Sequence, residues 1–362
     1  MTSTDHAPTH VSLSWSAEVS RRDVGQVLRE KLSAARGMDD DREWRDGLDF
    51  VERLVLGSGK RTRPLLCLLG WAGCDGGPDA GIVRVAAALE MFHTFALIHD
   101  DVMDMSAARR GFPTLHVSLA DRHRQLGWRG DPDRFGESAA ILWGDLCLVW
   151  ADELFHSCSL PLGRAQRALS VYQQMRAEVL MGQYLDVKGG ADTADLADCF
   201  KILLYKSARY TVERPLQIGA ALAGAEADTL AVLSRYGIAV GEAFQLRDDV
   251  LGVFGNAALT GKSTMTDLSD GKSTVLMALT RQLAKPSQAE TIRRLYGDPD
   301  LDENGADALR EIISATGALQ TVEEMIMQRT DRAVAALDGS PLSEAARAAL
   351  TELARTLSWR HR

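Results

Sequence analysis

Three aspartates follow the apolar stretch Thr94–Ile98 at spacings that suit a helix. Asp100 and Asp104 stand four residues apart, and Asp101 and Asp104 three apart, so their side chains can share one helix face. Crowded carboxylates repel one another and resist burial unless a cation neutralises them. Oxygen ligands of this kind favour Mg²⁺ over softer metals. Taken alone, the pattern predicts either a magnesium site or a solvated acidic cluster.

A second pair of aspartates, Asp248 and Asp249, ends another apolar helical pattern that passes through Phe244. Two such helices facing each other would hold Mg²⁺ ions between them. Because Mg²⁺ usually binds through a few carboxylates together with phosphate oxygens, the expected substrate carries a diphosphate. The second pair therefore favours the metal site over the acidic cluster.

Cationic residues accompany the carboxylates in several places. Three of the groups are the segment GKRTRP at 59–64, the pair Arg109 and Arg110, and the segment KSARYT at 206–211. Arginine suits phosphate because its planar fork bonds two oxygens at once. Lys206 lies in an otherwise apolar helical pattern and needs a partner, which a substrate phosphate would supply.

The fourth cationic group is the tetrapeptide GKST, present at 261–264 and again at 271–274. Neither copy is a nucleotide-binding P-loop, because the earlier glycine that such a loop requires is replaced by Asn256 or Thr266 and no strand precedes. Lys262 and Lys272 remain candidate phosphate ligands. The combined pattern predicts an acidic, metal-bearing wall and a cationic rim that stabilise a departing diphosphate, around an apolar cavity that excludes water from a carbocation.

Amphipathic helical patterns cover nearly all of the chain, and strand patterns are almost absent. Glycine and proline separate the patterns, as helix breakers do. The predicted helices span 17–36, 42–56, 61–74, 79–107, 135–158, 162–188, 195–224, 228–254, 271–284, 286–296, 305–338 and 342–359. The polar, arginine-rich segment 116–137 is predicted to form a helix and a surface loop. We expect a flexible tail over 1–15 and a single all-α domain over 16–362.

The composition restricts the function classes. A net charge of −9 and the absence of a long basic run argue against nucleic-acid binding. The first ten residues do not resemble a signal peptide. We expect no membrane span, because even the apolar run Leu65–Cys74 is shorter than the ~18 residues needed. Five cysteines without CxxC spacing predict reduced thiols in a cytoplasmic protein.

The motifs resemble those of the trans-isoprenyl diphosphate synthases, or polyprenyl synthetases, and most closely the bacterial geranylgeranyl diphosphate synthases. The matching segments are GKRTRP (59–64), LIHDDVMD (97–104), RRGFPTLH (109–116), KSARYT (206–211), FQLRDDVLGVFG (244–255) and both GKST copies. The resemblance implies the isoprenoid synthase fold, an antiparallel helical bundle around a central cavity, usually in a homodimer. It also implies head-to-tail condensation of isopentenyl diphosphate with dimethylallyl, geranyl or farnesyl diphosphate.

The resemblance further implies roles for individual residues. Asp100, Asp104 and Asp248 would be the ligands of three Mg²⁺ ions, with Asp101 and Asp249 beside them. The residues implied for the allylic diphosphate are Arg109, Lys206, Ser207, Gln245, Lys262 and Lys272. The residues implied for isopentenyl diphosphate are Lys60, Arg63, His93 and Arg110. Together with the five aspartates, Lys206 and Lys262 are the implied catalytic residues.

The chain departs from the family pattern at a few positions. Met105 and Ala107 stand where acids are common, Ser58 and Ser207 replace a common Gly and Thr, and Gly252 stands where some members have Asp. Met265 and Thr266 lie in a loop that is usually more polar. None of these changes removes an implied metal or diphosphate ligand.

Product length depends on how far the prenyl tail descends along the helix before Asp100. Phe95 and Ala96 precede Asp100 by five and four residues, so one aromatic lies at this level. With no two-residue insertion in DDVMD, the pattern resembles that of geranylgeranyl diphosphate synthases, which implies geranylgeranyl diphosphate as the product. Farnesyl diphosphate is the near alternative. Two further alternatives are a class I terpene cyclase, which usually carries an Asn/Ser/Glu metal triad absent here, and a non-catalytic regulatory subunit, which typically lacks acidic ligands that this chain keeps.

Overall fold

The computed structural model describes residues 19, 21–39, 41–57, 59–109, 111–191, 194–255 and 264–359. The tail predicted over 1–15 and the candidate ligands Arg110 and Lys262 lie outside these ranges.

The described chain divides into two compact units that interleave along the sequence. The first contains the described parts of 1–170 with 215–230 and 341–349, and the second contains those of 171–214, 231–340 and 350–362. The chain passes between the units five times, so neither unit is one continuous segment. The expectation of a single domain over 16–362 stays a prediction.

The elements up to residue 191 are mostly helices. They are α1 (Asp23–Arg36), α2 (Arg42–Leu56), α3 (Thr62–Gly73), α4 (Ala80–Met103), the strands β1 (Ala108–Arg109) and β2 (Phe112–Pro113), α5 (Leu115–Leu126), α6 (Pro132–His156) and α7 (Leu162–Ala191). Some of these helices begin with a side-chain cap. Asp41 accepts from the backbone N–H groups of Glu43 and Trp44 at the start of α2, and Asp131 caps α6.

Helix α4 lies at the centre of the first unit and packs along α1, α3 and α6. Val85, Leu89 and Phe92 are fully buried on it. By length and composition this helix could cross a membrane, but 78% of its apolar window is buried inside the protein, as in a core helix. The apolar run Leu65–Cys74, which was weighed as a membrane span from its sequence, falls largely within the shorter α3.

A short antiparallel hairpin follows α4 and places Arg109 opposite Phe112. Gly111, directly before β2, has a φ of +80°, which glycine adopts without strain. At its base, the buried Thr114 hydroxyl donates to the backbone carbonyl of Ser106 at 2.7 Å. The hairpin turns the chain back toward the end of α4.

The remaining elements complete both units. They are α8 (Leu196–Ile202), a π-helix (Leu203–Glu213), α9 (Arg214–Ala223), α10 (Ala227–Phe254), α11 (Thr266–Ser269), α12 (Val275–Leu283), α13 (Pro286–Leu295), α14 (Glu303–Ala315), α15 (Ala318–Ala336) and α16 (Glu344–Ser358). The core of the second unit joins α10, α12, α14 and α15 through residues such as Leu246, Leu276, Leu309 and Val322.

The all-α prediction is confirmed, but several helix boundaries were wrong. The helix predicted over 195–224 is α8, the π-helix and α9 in succession. The helix predicted over 305–338 is interrupted at Gly317, whose φ of +80° no continuous helix allows. The helix predicted over 79–107 ends at Met103, because the hairpin begins at Ala108.

Candidate active site

Two of the three aspartates at the end of α4 are bridged by one arginine. The Arg109 guanidinium donates from Nε to Asp101 Oδ1 at 2.7 Å and from Nη2 to Asp100 Oδ2 at 3.1 Å. Asp101 is only 2% exposed, whereas Asp100 and Asp104 are half-buried. Because a buried carboxylate is costly without a partner, Arg109 accounts for the burial of Asp101. The hairpin thus brings this predicted diphosphate ligand onto one predicted metal ligand, Asp100, and its neighbour Asp101.

A pocket of about 930 Å³ in the first unit has Asp101 and Arg109 in its wall. The apolar side chains of Phe50 and Phe112 line it as well, and so does Arg122 of α5. Arg109 is therefore shared between the carboxylates of α4 and an accessible, partly apolar pocket.

The segment GKRTRP forms the start of α3. Arg61 is its N-cap residue with a left-handed backbone (φ 47°, ψ 44°), Lys60 is exposed and Arg63 is half-buried. The backbone N–H groups at a helix start favour an anion, and two cationic side chains add to that preference. Lys60 and Arg63, which were predicted as isopentenyl diphosphate ligands, therefore lie at or next to a helix start.

His93 and Ala96 lie on the same face of α4 as Asp100, because they precede it by seven and four residues. Both are half-buried. Phe95 lies on the neighbouring face: it is buried, and its ring centroid is 5.2 Å from that of Phe92 and 4.7 Å from that of His99. The two candidate chain-length residues therefore occupy different faces of α4.

The segment KSARYT lies in the π-helix of the second unit. Lys206 donates from Nζ to Asp186 Oδ2 on α7 at 2.6 Å, with both side chains about one-quarter exposed. The expectation that a phosphate would be the partner of Lys206 was incomplete, since the protein supplies a carboxylate. Wide π turns occur often at functional sites.

A chain of hydrogen bonds links the π-helix to the second aspartate pair. The Ser207 hydroxyl donates to Gln245 Oε1 at 2.6 Å, and Gln245 Nε2 donates to Asp249 Oδ1 at 2.8 Å. The structure therefore brings together two predicted diphosphate ligands and one predicted catalytic aspartate. Asp248, the predicted metal ligand, is half-buried next to them in sequence.

Asp249 is buried, and this changes its acidity. Burial, reinforced by the negative charges of Asp267 and Asp248, raises the pKa of the Asp249 carboxyl to about 8. The hydrogen bond from Gln245 and the charge of Lys272 act in the opposite direction but do not compensate. Without a bound cation, Asp249 is therefore largely protonated at neutral pH.

Asp267 on α11 approaches α10 at Gly252. Its carboxylate occupies the space that a side chain at Gly252 would need. Lys272 Nζ lies 2.9 Å from Asp267 Oδ1, and the Tyr296 hydroxyl donates to the Lys272 carbonyl. A carboxylate from a different segment thus lies beside the position where some relatives carry a third motif aspartate.

Arg310 on α14 holds the chain on both sides of the segment that contains Lys262. It donates from Nε to the Val253 carbonyl at 3.0 Å and from Nη2 to Thr264 Oγ1 at 3.0 Å. The two ends of that segment are therefore fixed relative to α14.

The sequence interpretation missed Asp186, Asp267 and the π-helix. A signal for Asp186 existed, because Glu178, Gly182 and Asp186 recur every four residues and so share one face of α7. Asp267 gave no such signal, since its place beside Gly252 depends on the path of the chain between α10 and α11.

Comparisons with known proteins place the chain among prenyl-chain synthases. The sequence profile of the family described as polyprenyl synthetase matches residues 48–313. Geranylfarnesyl diphosphate synthase of Aeropyrum pernix is 32% identical over 298 residues, 81% of this chain and 87% of that protein. Octaprenyl diphosphate synthase of Escherichia coli K12 is 29% identical over 291 residues, 80% of this chain and 82% of that protein.

The fold comparison agrees. The crystal structure of geranylgeranyl pyrophosphate synthase from Corynebacterium glutamicum, complexed with isoprenyl diphosphate and magnesium, is 35% identical in sequence. It superposes with a TM-score of 0.90 over 95% of this chain and 99% of that chain. The relatives make prenyl products of different lengths, so the likeness fixes the class of reaction and leaves the product length open. The chain belongs to the polyprenyl synthetase family and is a prenyltransferase.

Proposed function

We propose that the enzyme condenses isopentenyl diphosphate head-to-tail with an allylic diphosphate and that geranylgeranyl diphosphate is its main product. The C1–O bond of the allylic diphosphate breaks, a C–C bond forms to the double bond of isopentenyl diphosphate, and a proton is lost from the new chain. The observation that carries the proposal is the hydrogen-bonded chain from Ser207 through Gln245 to Asp249. It couples a candidate diphosphate ligand directly to the second aspartate pair.

The aspartates fit magnesium as a cofactor. Asp100, Asp104 and Asp248 offer the hard carboxylate oxygens that Mg²⁺ prefers, and all three are partly accessible. Within the described ranges, no three His, Cys, Asp or Glu side chains are grouped closely enough to hold a metal ion by themselves. Oxygens of the substrate diphosphate would complete such sites. When bound, the proposed three magnesium ions would neutralise the negative charge that develops on the departing diphosphate.

The cationic side chains would orient the allylic diphosphate. Arg109 and Lys206 each hold a carboxylate, so each cation is already aimed by the protein before substrate binds. Lys272 is likewise paired with Asp267. We assign Lys262 to the same group from its place in the sequence motif. Preorganised cations of this kind stabilise charge on a leaving group without reorganising during the reaction.

We assign the isopentenyl diphosphate site to Lys60, Arg63, His93 and Arg110. The start of α3 supports this assignment, because its backbone N–H groups and two adjacent cations favour an anion. His93 lies on the face of α4 that also carries Asp100. This arrangement would keep isopentenyl diphosphate near Asp100, where the allylic diphosphate is proposed to bind.

The test is incubation of the purified full chain with Mg²⁺, isopentenyl diphosphate and each allylic diphosphate in turn, followed by chromatography of the products. We expect geranylgeranyl diphosphate from all three primers. A product that stops at farnesyl diphosphate supports the shorter-chain alternative. A hydrocarbon or alcohol formed without isopentenyl diphosphate supports a terpene cyclase, and no product from the chain alone supports a regulatory subunit.

A matched pair of variants tests the role of the aspartate motif. Asp104→Asn should lower kcat/KM by roughly 100-fold, because a neutral amide is a poor magnesium ligand. Asp121→Asn removes an exposed carboxylate that pairs with Arg124 and should leave activity unchanged. Equal activity of the two variants would count against the proposed metal site.

We also propose that the enzyme is a cytoplasmic homodimer. The five free cysteines support a reducing compartment. Helix α6 supports the dimer, since Leu142 and Val149, seven residues apart on one face, are 68% and 52% exposed. Light scattering of wild type and of Leu142→Glu tests this, and a monomeric wild type would contradict it.

A further inference from the structure

Two neighbouring helices contact the π-helix, each along a face that repeats every four residues. On α7 the face consists of Glu178, Gly182 and Asp186. On α10 it consists of Gly237, Gly241, Gln245 and Asp249. On α7, Glu178 and Asp186 bond to the π-helix on either side of Gly182. On α10, Gln245 bonds to the π-helix and to Asp249, and the two glycines precede it. The glycines therefore occur in register with the polar contacts.

The glycines lie where the backbone of the π-helix comes closest. A Cβ atom built on Gly182 would be 2.5 Å from the backbone N of Lys206, and one on Gly237 would be 2.5 Å from Glu213 Cα. A Cβ on Gly241 would overlap the Cα of Ala208. Real Cβ atoms do not approach other atoms so closely, so any side chain at these positions would displace the π-helix.

The polar contacts at either side of these glycines fix the π-helix in place. Glu178 accepts from Arg214 Nε and Nη2, both at 2.8 Å, and from Arg209 Nη1 at 2.5 Å. Burial opposes the charge of Glu178, but the two arginines outweigh it and hold the pKa of its carboxyl below the usual value. At the other end of the face, Asp186 holds Lys206.

From this geometry we propose that Gly182 and Gly241 are positioning residues that allow the π-helix to form and so set the locations of Lys206 and Ser207. A π turn is wider than an α turn, and α7 and α10 lack a side chain where each approaches it most closely, at Gly182 and Gly241. The inference rests on the proposed function, in which Lys206 and Ser207 hold the allylic diphosphate.

The test compares Gly182→Ala and Gly241→Ala with Gly190→Ala, in steady-state assays of the full-length enzyme with Mg²⁺ and both diphosphates. Gly190 is a matched control because it lies on α7 too, and a Cβ there would have no atom within 4 Å. We expect kcat/KM for the allylic diphosphate to fall roughly 100-fold in the first two variants, as a displacement near 1 Å produces. The KM for isopentenyl diphosphate should stay within about twofold of wild type, since its proposed ligands lie elsewhere.

A purely structural role gives a different result. Loss of folded enzyme lowers kcat for both substrates together and leaves both KM values unchanged, which would overturn the proposal. Activity of Gly182→Ala equal to that of Gly190→Ala would overturn it as well. If the wild type itself condenses no diphosphates, the proposed function fails, whereas an active wild type with active glycine variants contradicts the positioning role alone.

Wild-type hydrogen exchange provides a measurement that does not depend on the variants folding. If the glycines permit a preformed π-helix, amides of 203–213 should exchange as slowly as those of the flanking α8 and α9 before any ligand is added. Protection of 203–213 that arises only after magnesium and pyrophosphate are added would overturn the inference.

Discussion

Gln245 and Asp249 are one turn apart on α10 and are joined by a 2.8 Å hydrogen bond from Nε2 to Oδ1. The same Gln245 accepts from the Ser207 hydroxyl at 2.6 Å. The amide therefore orients both a hydroxyl proposed to face the allylic diphosphate and a carboxyl of the second aspartate pair. Its own orientation is fixed from both ends.

Removal of the Ser207 hydroxyl should affect catalysis more than stability. We expect Ser207→Ala to lower kcat/KM for the allylic diphosphate roughly 10- to 100-fold, because one hydrogen bond to a charged group contributes about 1.5–3 kcal/mol. In the substrate complex the hydroxyl would turn its single proton from Gln245 to the diphosphate. The control is Ser234→Ala, which removes a comparable bond to Glu213 on the same unit. Steady-state kinetics and thermal unfolding of both variants distinguish the effects, and equal kinetic losses would contradict the assignment.

Replacement of Arg109 by lysine should show whether its fork matters. Arg109→Lys keeps the charge but replaces two donor nitrogens of a planar fork, Nε and Nη2, with a single nitrogen. We therefore expect roughly tenfold weaker use of the allylic diphosphate. Arg122→Lys is the control, because Arg122 is equally exposed (21% against 22%) and lies 3.6–3.7 Å from Asp46 and Glu43. The measurement is KM for each diphosphate. Indistinguishable kinetics of the two variants would rule out a specific role for the fork.

The raised pKa of Asp249 predicts how stability depends on pH. In the folded, metal-free protein its carboxyl keeps a proton up to about pH 8, whereas an ordinary aspartate loses it near 3.8. The folded state thus binds more protons than the unfolded chain across this window, so its stability falls as the pH rises. Asparagine cannot ionise. In EDTA, Asp249→Asn should melt at a higher temperature than wild type at pH 8, with a smaller difference at pH 5; a constant difference would argue against the shifted pKa.

Product length should respond to the two residues on α4 in opposite directions. Phe95→Ala opens space and should lengthen the product, and Ala96→Phe fills space on the face of Asp100 and should shorten it. Phe92→Ala is the control, since it deletes an adjacent, fully buried ring on the same helix. Both deletions should cost about 3–5 kcal/mol of stability. Chromatography of the products decides, and a product unchanged in both Phe95 and Ala96 variants would place the floor of the cavity elsewhere.

Local spacing predicted the helices, and within the candidate site it predicted which residues share one face of a single helix. Asp100 and Asp104, or Gln245 and Asp249, lie one turn apart, and that relation depends only on helical pitch. The sequence predicted that Arg109 and the aspartates belong to one site but not that they bond to each other. The hairpin that joins them has strands of only two residues, which leave no strand pattern in the sequence.

Contacts between distant segments could not be predicted in this way. Lys206 and Asp186 are twenty residues apart, and their pairing depends on how α7 passes the π-helix. The π-helix itself leaves no clear trace in a periodicity analysis, since its apolar pattern was assigned to one long α-helix over 195–224. The close approach that Gly182 permits is visible only when both backbones are present.

The buried thiols give the protein a set of internal chemical reporters. Burial raises the pKa of Cys67 and Cys147 in the first unit, and that of Cys199 in the second unit to about 12. The thiolate is the form that attacks an alkylating reagent, so these groups stay inert while the chain around them is closed. The rate at which each thiol is modified would therefore time the opening of its own unit, with no engineered label needed.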